Sequence, residues 1–133
     1  MKYRVKKETK PTLSTFGKYK AVALHQQTIG SDGLIAEIAA NSSFDRGTVT
    51  GLMIKLSEVV NAHLRKGHRV YLKDWGMMKL EIESDKVDDP KQFRAKKHIR
   101  GVRLHFLPES YKGVQPLYDG ITFERDKSVY LDE

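Results

Sequence analysis

The apolar residues between positions 45 and 66 recur every three or four residues, which predicts one long amphipathic helix of about six turns. Asp45 precedes this run as a predicted N-cap. Gly67 follows it, where glycine can adopt the left-handed conformation that ends a helix. The sequence therefore marks both ends of the helix. Its apolar face consists of Val49, Leu52, Met53, Leu56, Val59, Val60 and Leu64.

After Gly67 the apolar period changes to two, which predicts strands with one buried face. A turn at Asp74-Trp75-Gly76 separates the first two strands, so they are predicted to pair as a hairpin, and Pro108 ends a third strand. Trp75 is predicted to plug the core, with stacking on a base as the alternative. The inward positions are Val70, Leu72, Met78, Leu80, Ile82, Val102, Leu104 and Phe106.

A short helix ending near Ala40 is predicted before the long one. Two helices around a short polar turn also suit a helix-turn-helix, but the second helix is too long and too apolar to lie free in a DNA groove. Beyond the third strand, residues 108–118 are considered for a short helix. Ile121 and Phe123 are predicted to form a last strand.

Residues 2–6 and 19–24 alternate in polarity around a Lys-rich connection, which predicts an N-terminal hairpin with a long loop. Three roles stay open for it: covering a sheet edge, extending a dimer contact, or bringing lysines to DNA. An edge strand protected by lysines is at least as well supported as a DNA contact. The lysines concerned are Lys6, Lys7, Lys10, Lys18 and Lys20.

This order of elements resembles the HU/IHF family of bacterial histone-like DNA-binding proteins. The resemblance covers residues 32–108. The turn lacks the family's usual first Gly and Phe, and the chain carries extra segments at both ends, so it is similar to the enlarged, diverged members. The matching residues are the short helix at 33–39, Phe44-Asp45, Leu64-Arg65-Lys66-Gly67 and Asp74-Trp75-Gly76-Met77-Met78.

The resemblance implies an α+β fold in which a short and a long helix precede an antiparallel sheet with an arm-like excursion. It also implies an intertwined homodimer. The N-terminal β-hairpin predicted from the alternation is an addition that the HU/IHF core does not have. The predicted organisation is an N-terminal hairpin extension at residues 1–30, an HU-like DNA-binding domain at 31–125 with the arm-like segment at 83–98, and a tail at 126–133.

Burial supports the dimer independently. A two-helix layer over a few strands is expected to leave apolar side chains of the long helix exposed in a monomer, and burying each is worth roughly 1.5 to 3 kcal/mol. A two-fold dimer would bury them on both copies at once. The predicted dimer interface is Val49, Leu52, Met53, Leu56 and Val60.

The net charge of +7 is concentrated in two segments. Residues 1–20 hold seven Lys or Arg against one Glu, and residues 86–103 hold seven against two Asp, whereas the rest of the chain is near neutral or acidic. Segregated positive charge favours a polyanion partner, with an ordinary solvated surface as the alternative.

Residues 83–98 occupy the place of the family's β-arm, whose tip proline wedges between base pairs. Pro90 matches that proline in position, but Asp88 and Asp89 beside it would be repelled by phosphates, which favours an ordinary turn proline. Divided at Pro90, each leg would reach roughly 25 Å if fully extended. The predicted phosphate contacts, with no indication of base readout, are Lys86, Lys91, Arg94, Lys96, Lys97, Arg100 and Arg103.

The sequence gives no support for chemistry beyond binding. With no cysteine and five histidines outside metal-binding spacings, no metal or other cofactor is expected. Without a phosphate-binding glycine loop or a nucleophile elbow, no catalytic residue, small-molecule substrate or enzymatic activity is predicted. The charged N-terminus and the lack of an apolar run of about 20 residues predict a cytoplasmic protein without a membrane partner. The resemblance to the HU/IHF family implies that it is associated with the nucleoid.

The predicted partners are duplex DNA and a second copy of the chain. DNA is expected to be bound mainly through its phosphates, with little sequence specificity, and to be bent or compacted. The first alternative is a dimeric structural or protein-interaction module of HU-like fold that does not bind DNA, favoured by the acidic arm tip and the acidic last 30 residues. RNA binding through the same basic surface is a third alternative.

Overall fold

The computed structural model describes residues 1–110 and 116–127, and these fold into two three-stranded sheets and three helices. The mixed α+β class predicted from the sequence is confirmed. One sheet has the order β2-β1-β6 and the other β3-β4-β5. The elements in chain order are β1 (Lys2–Lys7), β2 (Tyr19–Ala23), α1 (Ser31–Ala40), α2 (Arg46–Arg65), β3 (Val70–Leu72), β4 (Gly76–Ser84), α3 (Ala95–His98), β5 (Ile99–Pro108) and β6 (Glu124–Arg125).

Helix α2 is the longest element, and its ends are those predicted. At its start the Asp45 carboxylate accepts a hydrogen bond of 2.7 Å from the backbone N–H of Thr48, which also lowers the pKa of Asp45. After its end Gly67 has a φ of 83°, a left-handed conformation that a Cβ would disfavour. The 20 residues of the helix span about 30 Å.

The sheet that follows α2 contains the predicted hairpin. Strand β3 pairs antiparallel with β4, and β4 pairs antiparallel with β5 along its length. Gly76 opens β4 with a φ of 144°, and a Cβ there would overlap the carbonyl oxygen of Leu107. Glycine is therefore required where the start of β4 passes the end of β5. One face of this sheet carries the apolar side chains of all three strands, from Val70, Leu72, Met78, Leu80, Ile82, Val102, Leu104 and Phe106.

The core of a single chain is small. Among the described residues, the buried apolar side chains are Ile35, Val49 and Leu64. The expectation that Val49 stays exposed in a monomer is wrong: it is 4% exposed, because α2 packs on α1, β3 and β4 of its own chain. Large apolar side chains remain exposed on α2 and on the apolar face of the sheet, at Leu52, Leu56, Val59, Ile82, Val102, Leu104 and Phe106.

The predicted N-terminal hairpin is present as β1 and β2. The two strands pair antiparallel from Tyr3 opposite Ala23 to Lys7 opposite Tyr19. Within the described part of the chain, this sheet makes no extensive contact with the helices or with the other sheet. That residues 1–30 form an extension separate from the HU-like domain stays a prediction.

A C-terminal strand joins the same sheet, parallel to β1. Its predicted position at Ile121 and Phe123 is wrong, because the backbone N–H groups of Glu124 and Asp126 make the bonds to carbonyls near the start of the chain, at 3.1 and 2.8 Å. Of the helix considered for residues 108–118, positions 111–115 lie outside the described residues, and 116–120 form turns.

The expectation that Trp75 plugs the core is also wrong. Its side chain is 58% exposed because the residue lies at the tip of the β3–β4 turn, next to Asp74, whose φ is 70°. The turn is held by its backbone, since Trp75 donates to the carbonyl of Leu72 and accepts from the N–H of Glu109. An ordered turn therefore presents the indole to solvent.

Candidate nucleic-acid interface

The arm-like segment is a compact connection between β4 and β5. The backbone N–H of Asp85 donates to the carbonyl oxygen of His98 at 2.8 Å, which joins the two ends of the segment at its base. Between them lie a 3-10 turn at Pro90–Gln92 and the single turn of α3. The expectation of two extended legs is therefore wrong.

Local hydrogen bonds explain why the middle of this segment coils. The side chain of Asp89 accepts a hydrogen bond of 2.9 Å from the backbone N–H of Lys91 and so caps the 3-10 turn. Pro90 begins that turn, where its fixed φ suits the conformation and its missing N–H costs nothing. Asp89 and Pro90 together therefore act as a turn-forming pair, and Pro90 is exposed.

Arg94 and His98 hold the second half of the segment together. The backbone N–H of Arg94 donates to Nδ1 of His98 at 2.9 Å, which spans the single turn of α3. The Arg94 guanidinium donates to the carbonyl oxygens of Lys91 and Phe93 at 2.8 and 3.1 Å. Arg94 thus stabilises the shape of the segment, although its side chain stays near the surface.

Four lysines remain for contact with an anion. All four are exposed, and none forms an ion pair with a carboxylate of the described residues. Two lie side by side on α3, one lies in the 3-10 turn, and one lies just after β4. They are Lys86, Lys91, Lys96 and Lys97, which we call the arm lysines.

The two remaining predicted contacts are paired with carboxylates. The Arg100 guanidinium Nε lies 2.6 Å from the Asp85 carboxylate. Arg103 lies 3.3 Å from Glu81 and 3.8 Å from Glu83. Both guanidiniums are still largely exposed, but a phosphate would have to compete with these carboxylates.

Glu81 is the centre of a small network on the polar face of the sheet. Its carboxylate lies 2.8 Å from His105 Nδ1 and 3.5 Å from Lys79 Nζ, in addition to Arg103. The hydrogen bond with His105, followed by that with Arg103, lowers the pKa of Glu81. This face is therefore close to neutral. Sequence reasoning missed the network because it did not assign the pairing that sets Glu81 opposite Arg103.

The predicted dimer residues divide into two groups. Val49 already lies in the core of the chain, and Met53 and Val60 are half-buried. Leu52 and Leu56 are 59% and 52% exposed, and Val59, which the predicted interface omitted, is exposed beside them. The accessible apolar stripe of α2 therefore consists of Leu52, Leu56 and Val59.

A family model for an HU domain fused to a wHTH, Ig or glycine-rich motif matches residues 1–125. The chain belongs to this HU-HIG family. Its fold also matches a crystal structure from Bacteroides vulgatus ATCC 8482, provisionally described as a bacterial DNA-binding protein, with a TM-score of 0.61 and 13% sequence identity. The match covers 80% of the HU-HIG chain but 41% of the other chain. No curated protein matches the sequence.

The described part of this HU-HIG chain has neither a metal-binding cluster nor a helix that could span a membrane. Over residues 1–110 and 116–127, no group of three or more His, Asp or Glu side chains is placed to hold a metal ion. The helices of the same residues are too short or too polar to cross a membrane. The arm segment and the apolar faces are thus the features from which a function can be argued.

Proposed function

We propose that this HU-HIG chain binds duplex DNA mainly through the phosphate backbone. The observation that carries the proposal is the set of four arm lysines, which are exposed on one short connection between two strands and form no ion pair with a carboxylate of the described residues. Lysine contacts a phosphate as a flexible point charge, and such contacts position a protein on DNA without reading its sequence. The description of the structurally similar Bacteroides protein as DNA-binding supports the same role.

We further propose that the functional unit is an intertwined homodimer. The stripe of Leu52, Leu56 and Val59 is exposed, as is most of the apolar face of the β3-β4-β5 sheet. Soluble monomers rarely expose contiguous apolar surface of this extent. A second copy related by a two-fold axis would bury both surfaces and would place two arm segments on the same assembly.

The dimer sets the expected strength of the electrostatic contribution. Two copies of the four arm lysines give up to about eight phosphate contacts, which corresponds to a slope near −7 for log K against log salt concentration. Affinity should then fall about 10⁴-fold between roughly 50 and 200 mM salt. A protein with only one or two phosphate contacts would show a much weaker dependence of affinity on salt concentration.

The experiment is a salt titration of binding to a labelled duplex of about 30 base pairs, roughly 100 Å long at 3.4 Å per pair. The parent is compared with a variant in which the four arm lysines are changed to Ala. We expect a steep slope for the parent and a weaker, flatter one for the variant. A folded parent that does not bind at low salt would overturn the proposal.

Single substitutions provide the matched control. Lys96→Ala removes an unpaired lysine of the arm, whereas Lys55→Ala removes an exposed lysine of α2 that is paired with Glu58 at 3.0 Å. Both remove one positive charge from a helix. We expect the first to flatten the salt slope by about 0.9 for each arm engaged and the second to leave it unchanged.

A protein-interaction module remains the second candidate, and one observation favours it. The polar face of the sheet next to the arm is neutralised by the Glu81 network and offers no continuous positive surface. If DNA binding fails while the parent remains a folded dimer, this candidate becomes the better account. The proposal of DNA binding includes localisation to the nucleoid in the cytoplasm. A failure to bind DNA would therefore also refute this localisation.

A further inference from the structure

The N-terminal sheet has two different faces, which follow from the alternation along β1 and its register with β2. Tyr3, Val5, Ala21 and Ala23 share one face. On it, an open apolar hollow of about 450 Å³ is lined by Met1, Tyr3, Ala21, Ala23 and Phe123. The other face carries Lys2, Arg4 and Lys6 at every second position of β1, with Lys20 opposite Lys6 on β2. We call this second surface the basic face.

Most charges of the basic face lack a partner. Lys20 is paired with Glu8 at 3.0 Å, and this contact lowers the pKa of Glu8. No carboxylate of the described residues pairs with Lys2, Arg4 or Lys6. A free cation on a protein surface is often only solvated. Glu124 of β6 lies beside Lys2 on this face without pairing with it, and the three cations on alternate residues of β1 still form a line of positive charge.

Arg4 adds a second and independent observation. It lies in the middle of the central strand and is only partly exposed, and its guanidinium Nε is buried without a hydrogen-bond partner among the described residues. A buried donor without an acceptor costs free energy, and a charged one costs more. An anion bound at the basic face would lie near the rest of this guanidinium and would compensate part of that cost.

We propose that the basic face is a second contact site for the DNA backbone, separate from the arm lysines. The inference rests on the proposed DNA binding and extends it to a surface outside the β3-β4-β5 sheet. Of the three roles left open for the hairpin, this proposal selects the contact with DNA, while the edge of β1 beyond Tyr3, which β6 does not cover, keeps protection by lysines as the alternative that the test must separate.

The spacing of the cations suits a phosphate backbone. Residues on the same face of a strand repeat every 6.6 Å or so, and one DNA strand presents a phosphate about every 3.4 Å along the helix axis. Lys2, Arg4 and Lys6 therefore form a line of about 13 Å, long enough to meet up to three phosphates. A flexible lysine at each end allows the line to adapt to the curved backbone.

Neighbouring lysines on opposite faces allow a closely matched test. Lys6 and Lys7 are adjacent, both exposed and both in β1, but Lys6 lies on the basic face and Lys7 on the other. The affinity of Lys6→Ala and of Lys7→Ala for duplex DNA is measured as a function of salt concentration. The duplex has about 60 base pairs, so that it is long enough to cover both proposed contact sites. Lys2→Ala combined with Lys6→Ala gives a larger effect without disturbing the partly buried Arg4.

We expect Lys6→Ala to flatten the slope of log K against log salt concentration by about 0.9 for each basic face that contacts DNA, and the double variant to flatten it by about 1.8. Lys7→Ala should leave the slope unchanged. Circular dichroism confirms that each variant keeps its strands. Equal slopes for the two single variants, in a parent whose binding depends on the arm lysines, would overturn this inference and leave the proposed function intact. Loss of binding by the parent itself would instead refute both.

Discussion

The proposed dimer can be tested by removing apolar surface that a single chain does not use. Leu52 and Leu56 lie on the same side of α2 and are 59% and 52% exposed, so Leu52→Ala combined with Leu56→Ala should disturb the monomer little. In the proposed dimer the exposed halves of both side chains are buried against the partner. The variant should therefore weaken association while preserving the fold.

The magnitude follows from the exposed fractions. Full burial of a leucine is worth roughly 1.5 to 3 kcal/mol, so burying the exposed half is worth about 0.75 to 1.5 kcal/mol. Two leucines on each of two copies then contribute about 3 to 6 kcal/mol to the dimer. At about 1.4 kcal/mol per factor of ten, the dimer Kd should rise about 10² to 10⁴-fold.

Sedimentation equilibrium over a range of protein concentrations measures this Kd directly. Ile54→Ala is the matched control, because Ile54 is 53% exposed but lies about 160° or more around the helix from both leucines, at about 100° per residue. We expect the control to associate like the parent. A double variant that dimerises as tightly as the parent, or a parent that is monomeric throughout, would refute the assignment of this stripe to the interface.

Two further predictions concern stability. Gly76→Ala should lower the free energy of unfolding by at least about 2 kcal/mol, measured by chemical denaturation, because φ is positive there and the new Cβ would overlap the Leu107 carbonyl. Gly101→Ala, with open space around the new Cβ, should leave the stability nearly unchanged. Similar effects for the two variants would contradict the close approach of β4 and β5. The carboxyl group of Asp45 has a lowered pKa in the folded state. Its contribution to the stability of the fold is therefore complete above pH 3.8, its ordinary pKa, and is lost as the pH falls through the lowered pKa. Thermal unfolding of Asp45→Asn, which keeps a capping oxygen but does not titrate, should therefore be less sensitive to acid than that of the parent, and equal sensitivity would contradict the capping role.

The sequence was most informative where local signals agree. The N-cap at Asp45, the apolar period of α2 and the glycine at position 67 together predict one helix, and the structure has that helix. The turn before Gly76 likewise predicts the β3–β4 hairpin. These features depend on residues close together in the chain, which is why they can be predicted without knowing the fold.

The remaining features depend on contacts between distant residues. The partnership of Arg103 with Glu81 requires the register of β4 on β5, and the hydrogen bond of Glu124 with Met1 joins residues that are far apart in the chain. The compact arm was missed for a different reason. The sequence predicts the turn at Pro90, but the hydrogen bond of the Arg94 backbone N–H with His98, which coils the second half of the segment, has no periodic signal in the sequence.

The central claim is that the arm segment contacts DNA. Amide hydrogen exchange, measured with and without a duplex of about 30 base pairs, tests this claim most directly. We expect the amides of residues 85–98 to exchange more slowly in the complex, because phosphates cover the arm lysines and hold the 3-10 turn and α3 in place. Slower exchange elsewhere with no change in residues 85–98 would contradict the claim, even if the protein binds DNA.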